Sequence, residues 1–116
     1  MRVINQTRAC SLGDRVDVAD TSKTRRTGLL KHATFEFGQG LWIVPCEGVH
    51  TFGMPFPIDV IYLNKKRKIL KIRKEMKRSR ISFCLTAHSV LELPAGAVDA
   101  TGTQKGDQLL FETKQT

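Results

Sequence analysis

Several features that would place this chain in a specialised class are missing from it. No apolar run approaches the ~18 residues of a membrane-spanning helix, and residues 1–6 contain no apolar segment like that of a secretion signal. The three cysteines, an odd number, argue against a disulfide framework. We therefore expect one cytoplasmic domain over residues 1–116, with no membrane span and with three reduced, unpaired thiols.

Acidic residues are nearly absent from one stretch. Residues 65–80 hold ten Lys and Arg and a single Glu, a local charge of +9, whereas the rest of the chain sums to −1. Because ten cations could be buried only with ten partners, we expect an exposed basic ridge that binds polyanions weakly and without sequence preference. Its cations are Lys65, Lys66, Arg67, Lys68, Lys71, Arg73, Lys74, Lys77, Arg78 and Arg80.

Aromatic side chains, which stack on bases, are also missing from this basic stretch. No helix-turn-helix, zinc-finger or RNA-binding signature occurs elsewhere. The alternatives for the stretch are a solvated face, nucleic acid, an acidic partner protein and an anionic membrane surface.

The spacing of short apolar segments between Gly and Pro indicates a mainly β fold. We expect a compact antiparallel β-sandwich or barrel with one short helix, in which 59–63 and 68–73 form a hairpin. Asp20 and Thr21 are N-cap types that predict the helix over 22–30, with Gly28 as a point where it could stop early. The other predicted strands are 16–19, 41–44, 89–93 and 108–112.

The most distinctive stretch is 50–59, which reads His-Thr-Phe-Gly-Met-Pro-Phe-Pro-Ile-Asp. One glycine and two prolines make its backbone stiff and irregular. A histidine begins it and an aspartate ends it, directly before an apolar strand. The pattern predicts a shaped surface loop with polar groups at both ends.

Four landmarks over about residues 16–111 resemble the DUF192 family of small prokaryotic domains. They are Arg25–Leu30, Gly40-Leu41-Trp42, Phe52-Gly53-Met54 with Pro57-Ile58-Asp59, and Val90–Gly96 followed by Gly106-Asp107. The chain departs from the common family pattern at Gly53 and at 55–57, where the family has Trp and Lys-Asn-Thr. The resemblance implies a compact, mainly β, sandwich-like barrel, and it implies no reaction because the family lacks an assigned activity.

Polar residues at or beside these landmarks are the candidate site. We expect an accessory or binding module in which a cleft receives a small polar ligand or peptide, and we expect His50, Asp59 and Glu92 to share one face. The alternative is an enzyme that uses a carboxylate and a histidine as acid and base, and for Asp59 and Asp107 a further alternative is the capping of backbone amides. The candidate ligand-binding residues are His50, Thr51, Asp59, His88, Glu92 and Asp107.

Two segments, Cys46-x-x-x-His50 and Cys84-x-x-x-His88, share a spacing that could supply a Cys2His2 zinc site. Positions four apart on a straight strand lie about 13 Å apart, too far to share one ion unless the strand bends. Gly48 could supply such a bend. A Cys46–His50 thiol dyad is a further alternative. We expect no bound metal and no other cofactor.

Overall fold

The computed structural model describes residues 1–29 and 32–113, which form ten strands and two short helices. The helices are α1 (Ser22–Thr27) and α2 (Ala97–Thr101), and neither is long or apolar enough to cross a membrane. The strands are β1 (Arg2–Asn5), β2 (Cys10–Gly13), β3 (Arg15–Ala19), β4 (Gln39–Ile43), β5 (Gly48–His50), β6 (Ile58–Leu63), β7 (Ile69–Met76), β8 (Ile81–Phe83), β9 (Ser89–Pro94) and β10 (Leu109–Glu112).

A five-stranded sheet in the order β3-β4-β9-β6-β7 is the centre of the molecule. Every residue of β6 and of β9 is buried. Strands that are covered on both faces are apolar almost throughout, which explains the continuous apolar runs in these two segments. β9 is the middle strand, so a polar side chain on it lies far from any sheet edge.

The two faces of this sheet carry separate apolar clusters. On the first face, Ile61 and Leu91 pack with Val98 of α2 and Leu109 of β10. The three-stranded sheet β10-β1-β2 covers this face together with α2. On the second face, Val60, Tyr62 and Val90 pack beneath Leu29, which follows α1, and Val49 of the β5–β8 ribbon.

The mainly β fold predicted from the sequence is confirmed. All six predicted strands are present, and the hairpin of β6 and β7 continues to Met76, beyond its expected end at residue 73. The helix begins after the Thr21 cap and ends before Gly28, whose φ is +48°. Residue 30, the last residue of the predicted helix 22–30, lies outside the described residues.

Within this mainly β fold, three details differ from the expected antiparallel sandwich or barrel with one helix. β3 and β4 pair in parallel, because the chain between them crosses over through α1. The described strands form three separate sheets, and none of these closes into a barrel. A second helix, α2, follows Gly96, where the Gly and Pro pattern predicts only turns.

Asp59 joins the central sheet to α2 and to an irregular point of β7. Its fully buried carboxylate accepts hydrogen bonds from the backbone N–H groups of Glu75 at 2.8 Å, Gly96 at 3.2 Å and Val98 at 2.9 Å. Glu75 has a φ of +49°, and α2 has no side-chain cap of its own. Asp59 therefore satisfies three backbone amides, of which that of Val98 is buried.

Asp107 holds the two ends of the described chain together. Its carboxylate accepts hydrogen bonds from Asn5 Nδ2 at 3.0 Å, from Arg8 Nε at 2.9 Å and from the backbone N–H of Gln104 at 2.9 Å. Burial raises the pKa of Asp107, but the hydrogen bonds from Arg8, Asn5 and Gln104 outweigh it and bring that pKa to about 2. The group is consequently ionised at any pH near neutrality.

Replacing Asp59 with Asn should destabilise the fold. An asparagine side chain has only one acceptor oxygen, and its NH2 group cannot accept a hydrogen bond. At least one of the three backbone N–H groups therefore loses its partner. We expect the free energy of unfolding, measured by urea titration, to fall by about 2–4 kcal/mol. Asp17→Asn, the same change at an exposed strand position, should alter it by less than about 0.5 kcal/mol. Equal stabilities of the two variants would contradict the role of Asp59.

The lowered pKa of Asp107 predicts a specific acid dependence of stability. Its interactions contribute fully above the ordinary aspartate pKa, near 3.8, and are lost as pH falls through about 2. Asp107→Asn should therefore be less stable than the wild type at neutral pH, and the difference should shrink as the pH approaches 2. The check is urea unfolding of both proteins across this range; a difference that does not vary with pH would contradict it.

Candidate functional site

A cleft of about 1080 Å³ opens on the second face of the central sheet. Its walls are α1 and the residues after it, the loop after β4, strand β5, and the segment before β9. The β6–β7 turn contributes to its mouth. Its polar and charged lining residues include Arg25, Cys46, His50, His88 and Glu92.

Glu92 is the buried acid of the cleft. It lies on the central strand β9, directly opposite Leu41 of β4 and Val60 of β6, and is only 4 % exposed. Burial among these apolar neighbours raises its pKa to about 7. In the described residues no side chain or backbone group hydrogen-bonds its carboxyl group, so the group remains able to donate or accept a bond.

His88 and Cys46 lie beside each other at the edge of the same cleft. The backbone N–H of Cys46 donates to the carbonyl of His88 at 3.0 Å. His88 Nδ1 is buried and has no hydrogen-bond partner in residues 1–29 and 32–113. Burial raises the pKa of the Cys46 thiol, which donates to the Gly48 carbonyl at 3.1 Å. Cys46 is therefore a protonated thiol at neutral pH, which argues against a thiol dyad.

The mouth of the cleft is mainly basic. Arg25 and Arg26 of α1 lie on one side, and Lys65 and Lys66 of the β6–β7 turn lie on the other. Glu47 is the one acidic residue at this mouth among the described lining residues. The excess of cations favours a ligand with a negatively charged group near the entrance.

The structure brings His50, His88 and Glu92 to one cleft but separates Asp59 from them. Asp59 pairs in register with Leu93, whose side chain belongs to the first face, whereas Glu92 pairs with Val60 of the second face. Side chains of successive strand residues point to opposite faces. The expectation that His50, Asp59 and Glu92 share one face is therefore wrong for Asp59.

Thr51 and Asp107 also lie away from the cleft lining. Thr51 is fully buried, donates to the Lys77 carbonyl and accepts from the Arg80 N–H at 2.9 Å, so it fastens the loop between β7 and β8. Asp107 lies with Asn5 and Arg8 at the chain ends. These two side chains make hydrogen bonds within the fold, which is the capping alternative that the sequence had left open for Asp107.

The basic residues of 65–80 lie in several different surroundings. Eight of the ten are exposed. Lys74 binds Asp99 of α2 at 2.9 Å on one side of the sheet, whereas Lys71 lies over the Tyr62 ring on the other. The guanidinium of Arg67 lies 4.7 Å from the centre of the Trp42 ring. Weak polyanion binding by this segment stays a prediction.

The sequence did not predict that basic residues at the cleft mouth and the buried acid Glu92 line the same cleft. Arg25 and Arg26 stand in the first family landmark, and Lys65 and Lys66 stand in the basic stretch. Their charges are evident in the sequence, but no local pattern indicates that α1 and the β6–β7 turn line the same cleft as Glu92.

The two Cys-x-x-x-His segments come together as neighbours in the fold. The backbone N–H of Cys84 donates to the Glu47 carbonyl at 2.7 Å, beside the contact between Cys46 and His88. Within residues 1–29 and 32–113, no three His, Cys, Asp or Glu side chains are grouped so that they could hold a metal ion. All three cysteines are free thiols. The absence of bound zinc stays a prediction.

The raised pKa of Glu92 predicts that the free energy of unfolding of the wild type falls as pH rises from about 4.5 through about 7. Over this range the Glu92 carboxyl group must lose its proton in an apolar environment in the folded protein, whereas it ionises freely in the unfolded chain. Glu92→Gln, which cannot ionise, should lack this loss and gain about 3 kcal/mol relative to the wild type above pH 7. Urea unfolding across this range tests it, with Glu112→Gln at a half-exposed carboxylate as the control. A constant difference between wild type and Glu92→Gln would contradict the prediction.

Comparison with known proteins gives a family and a fold. A UPF0127 protein of Thermococcus sibiricus is 29% identical to this chain over 97% of it and 76% of the relative. A protein of unknown function from Novosphingobium aromaticivorans has a TM-score of 0.81 at 18% identity, covering 95% of this chain and 82% of that chain. A candidate transcription regulator from Sinorhizobium meliloti has the same TM-score at 22% identity, covering 94% and 89%.

The two solved structures share the fold, and their low identity carries no function to this chain. The family evidence is stronger, because the DUF192 family model, described as "Uncharacterized ACR", matches residues 3–111. That range spans the five-stranded sheet, both helices and the whole cleft. The chain therefore belongs to the DUF192 family.

Proposed function

We propose that this domain is a binding module for a small polar ligand or peptide and that the cleft beneath α1 receives it. The observation that carries the proposal is Glu92, an acid on the central strand that is 4 % exposed, lines the cleft and makes no hydrogen bond to a described residue. A carboxyl group that is held away from bulk water without a hydrogen-bond partner in the described fold loses solvation free energy. A ligand that supplies the partner would recover part of that cost.

The cleft also favours a particular kind of ligand. Arg25, Arg26, Lys65 and Lys66 attract a negative group at the mouth, while the Glu92 carboxyl and His88 Nδ1 offer hydrogen bonds at the floor. Buried apolar side chains such as those of Leu29, Ile43 and Met54 also line the cleft. A short peptide with a free carboxylate, or a small organic acid with an amide or hydroxyl group, would match this combination of cations, apolar side chains and hydrogen-bonding groups.

An acid–base enzyme is the second candidate, and the pKa of Glu92 near 7 favours it. A carboxyl group with such a pKa exchanges its proton readily at neutral pH, as a general acid or base must. His88 and His50 of the same cleft could serve as its partners. The two candidates share the same ligand site and differ in whether bound ligand is turned over.

The binding proposal predicts that a short peptide acid will perturb the cleft. The probes are N-acetyl dipeptides with a free C-terminal carboxylate and their C-amidated counterparts, titrated while backbone amide NMR signals are recorded. We expect saturable shifts confined to residues 25–29, 46–50 and 86–92. The free acid should bind about tenfold more tightly, since only it carries the charge that the mouth attracts.

Two variants of Glu92 and one control sharpen this test. Glu92→Leu removes the polar atoms and should weaken binding about tenfold, whereas Glu112→Leu, the same change outside the cleft, should leave it unchanged. If Glu92→Gln still binds but stops a conversion of the peptide that the wild type performs, the enzyme is the correct function. No shifts in the cleft with any probe, or unchanged binding by Glu92→Leu, would refute the binding module.

A further inference from the structure

The β5–β8 ribbon has an apolar outer surface, which we call the ribbon face: Phe52, Ile81, Phe83 and Leu85. These side chains are 48 %, 51 %, 61 % and 77 % exposed. Ile81, Phe83 and Leu85 alternate along one segment, and Phe52 follows β5, the strand that pairs with β8. Several large exposed apolar groups on one ribbon are unusual on the surface of a soluble domain. Nothing in the cleft proposed above uses them.

The pairing of the ribbon explains why Ile81 and Phe83 face outward. Gly48 pairs with Phe83 and His50 pairs with Ile81, so these four positions share one face. The alternate positions, Val49 and Ser82, turn inward, where Val49 packs on the second apolar cluster. Gly48 has no side chain, and a Cβ built on it would lie 3.0 Å from Phe83 Cδ1, so the phenyl ring lies across β5.

Cations border the ribbon face at both ends. Lys77, Arg78 and Arg80 are exposed in the loop between β7 and β8. Thr51 fastens that loop directly beside Phe52, through its bonds to Lys77 and Arg80. At the other end, Lys71 Nζ donates to the Phe83 carbonyl at 2.6 Å.

We propose that the ribbon face docks this domain on an anionic membrane surface, with the phenyl and aliphatic side chains entering the interface and the flanking cations contacting acidic lipid headgroups. Apolar burial or electrostatic attraction alone gives marginal membrane binding, and stable association takes both signals. The ribbon face has both within one short segment, 77–85, and its charge is complementary to an acidic bilayer.

The arrangement fits a bilayer better than a nucleic acid. Stacked bases require ring faces in succession. Here Phe52 and Phe83 stand at opposite ends of the ribbon, on the order of 13 Å apart along the strand direction. The aliphatic Ile81 lies between them, and the most exposed member, Leu85, offers no stacking surface at all.

The test is co-sedimentation with phosphatidylcholine vesicles that contain about 30% phosphatidylserine, compared with pure phosphatidylcholine vesicles. Phe83→Ser and Arg78→Glu should each weaken binding to the acidic vesicles about tenfold. The matched controls are Phe37→Ser and Lys105→Glu. Phe37 is equally exposed but lies near Ala97 of α2, on the first face, and Lys105 lies in the turn before Asp107. Far-UV circular dichroism of each variant verifies that it is folded.

Binding to acidic but not neutral vesicles, lost in the two ribbon variants and kept in both controls, is the expected result. Equal losses for Arg78→Glu and Lys105→Glu with no effect of Phe83→Ser would show attraction by net charge alone and would overturn the proposal. Absence of vesicle binding at low salt would also overturn it. If the wild type retains single-stranded DNA but does not bind vesicles, the proposal is overturned as well. The outcome is independent of ligand binding in the cleft.

Discussion

Three backbone amides converge on the buried Asp59 carboxylate, and the packing of the first sheet face depends on this convergence. The amides come from β7 and from the two ends of the Gly96–Val98 turn into α2. A helix of five residues has too few internal hydrogen bonds to be stable alone. With Asp59 as its cap, α2 can place Ala97 and Val98 over Ile61 and Leu91.

Asp59 and Glu92 illustrate two uses of a buried carboxyl group within one sheet. They lie on adjacent strands and on opposite faces, and both are removed from water. Asp59 has three amide partners and acts as a structural connection. Glu92 has apolar neighbours and an open cleft in front of it, which raises its pKa to about 7. Because the fold supplies no partner for Glu92 in its described part, this is the group that a ligand could satisfy.

The second face of the sheet has a thinner cover than the first. The two-stranded ribbon and the α1 segment share it, and the cleft lies between them. The ribbon strands are three residues each, so only alternate side chains such as Val49 reach the apolar cluster while Ile81 and Phe83 face outward. His50 belongs to both regions, since it lines the cleft and its ring lies 5.4 Å from that of Phe52.

The sequence by itself determined the strands whose pattern is strong and local. β6 and β9 are buried on both faces and are continuous apolar runs, and α1 has its cap at Thr21 and its stop at Gly28. It also indicated His50, His88 and Glu92, which line one cleft, as candidate site residues and suggested a capping role for Asp59. Tertiary structure alone decided the rest. The three-residue strands β5 and β8 have too little pattern to be recognised, α2 is capped by a residue almost forty positions away, and the parallel placement of β3 depends on the crossover through α1. Which face Asp59 and Glu92 occupy is a matter of strand register, and register follows from long-range pairing that a single sequence does not display.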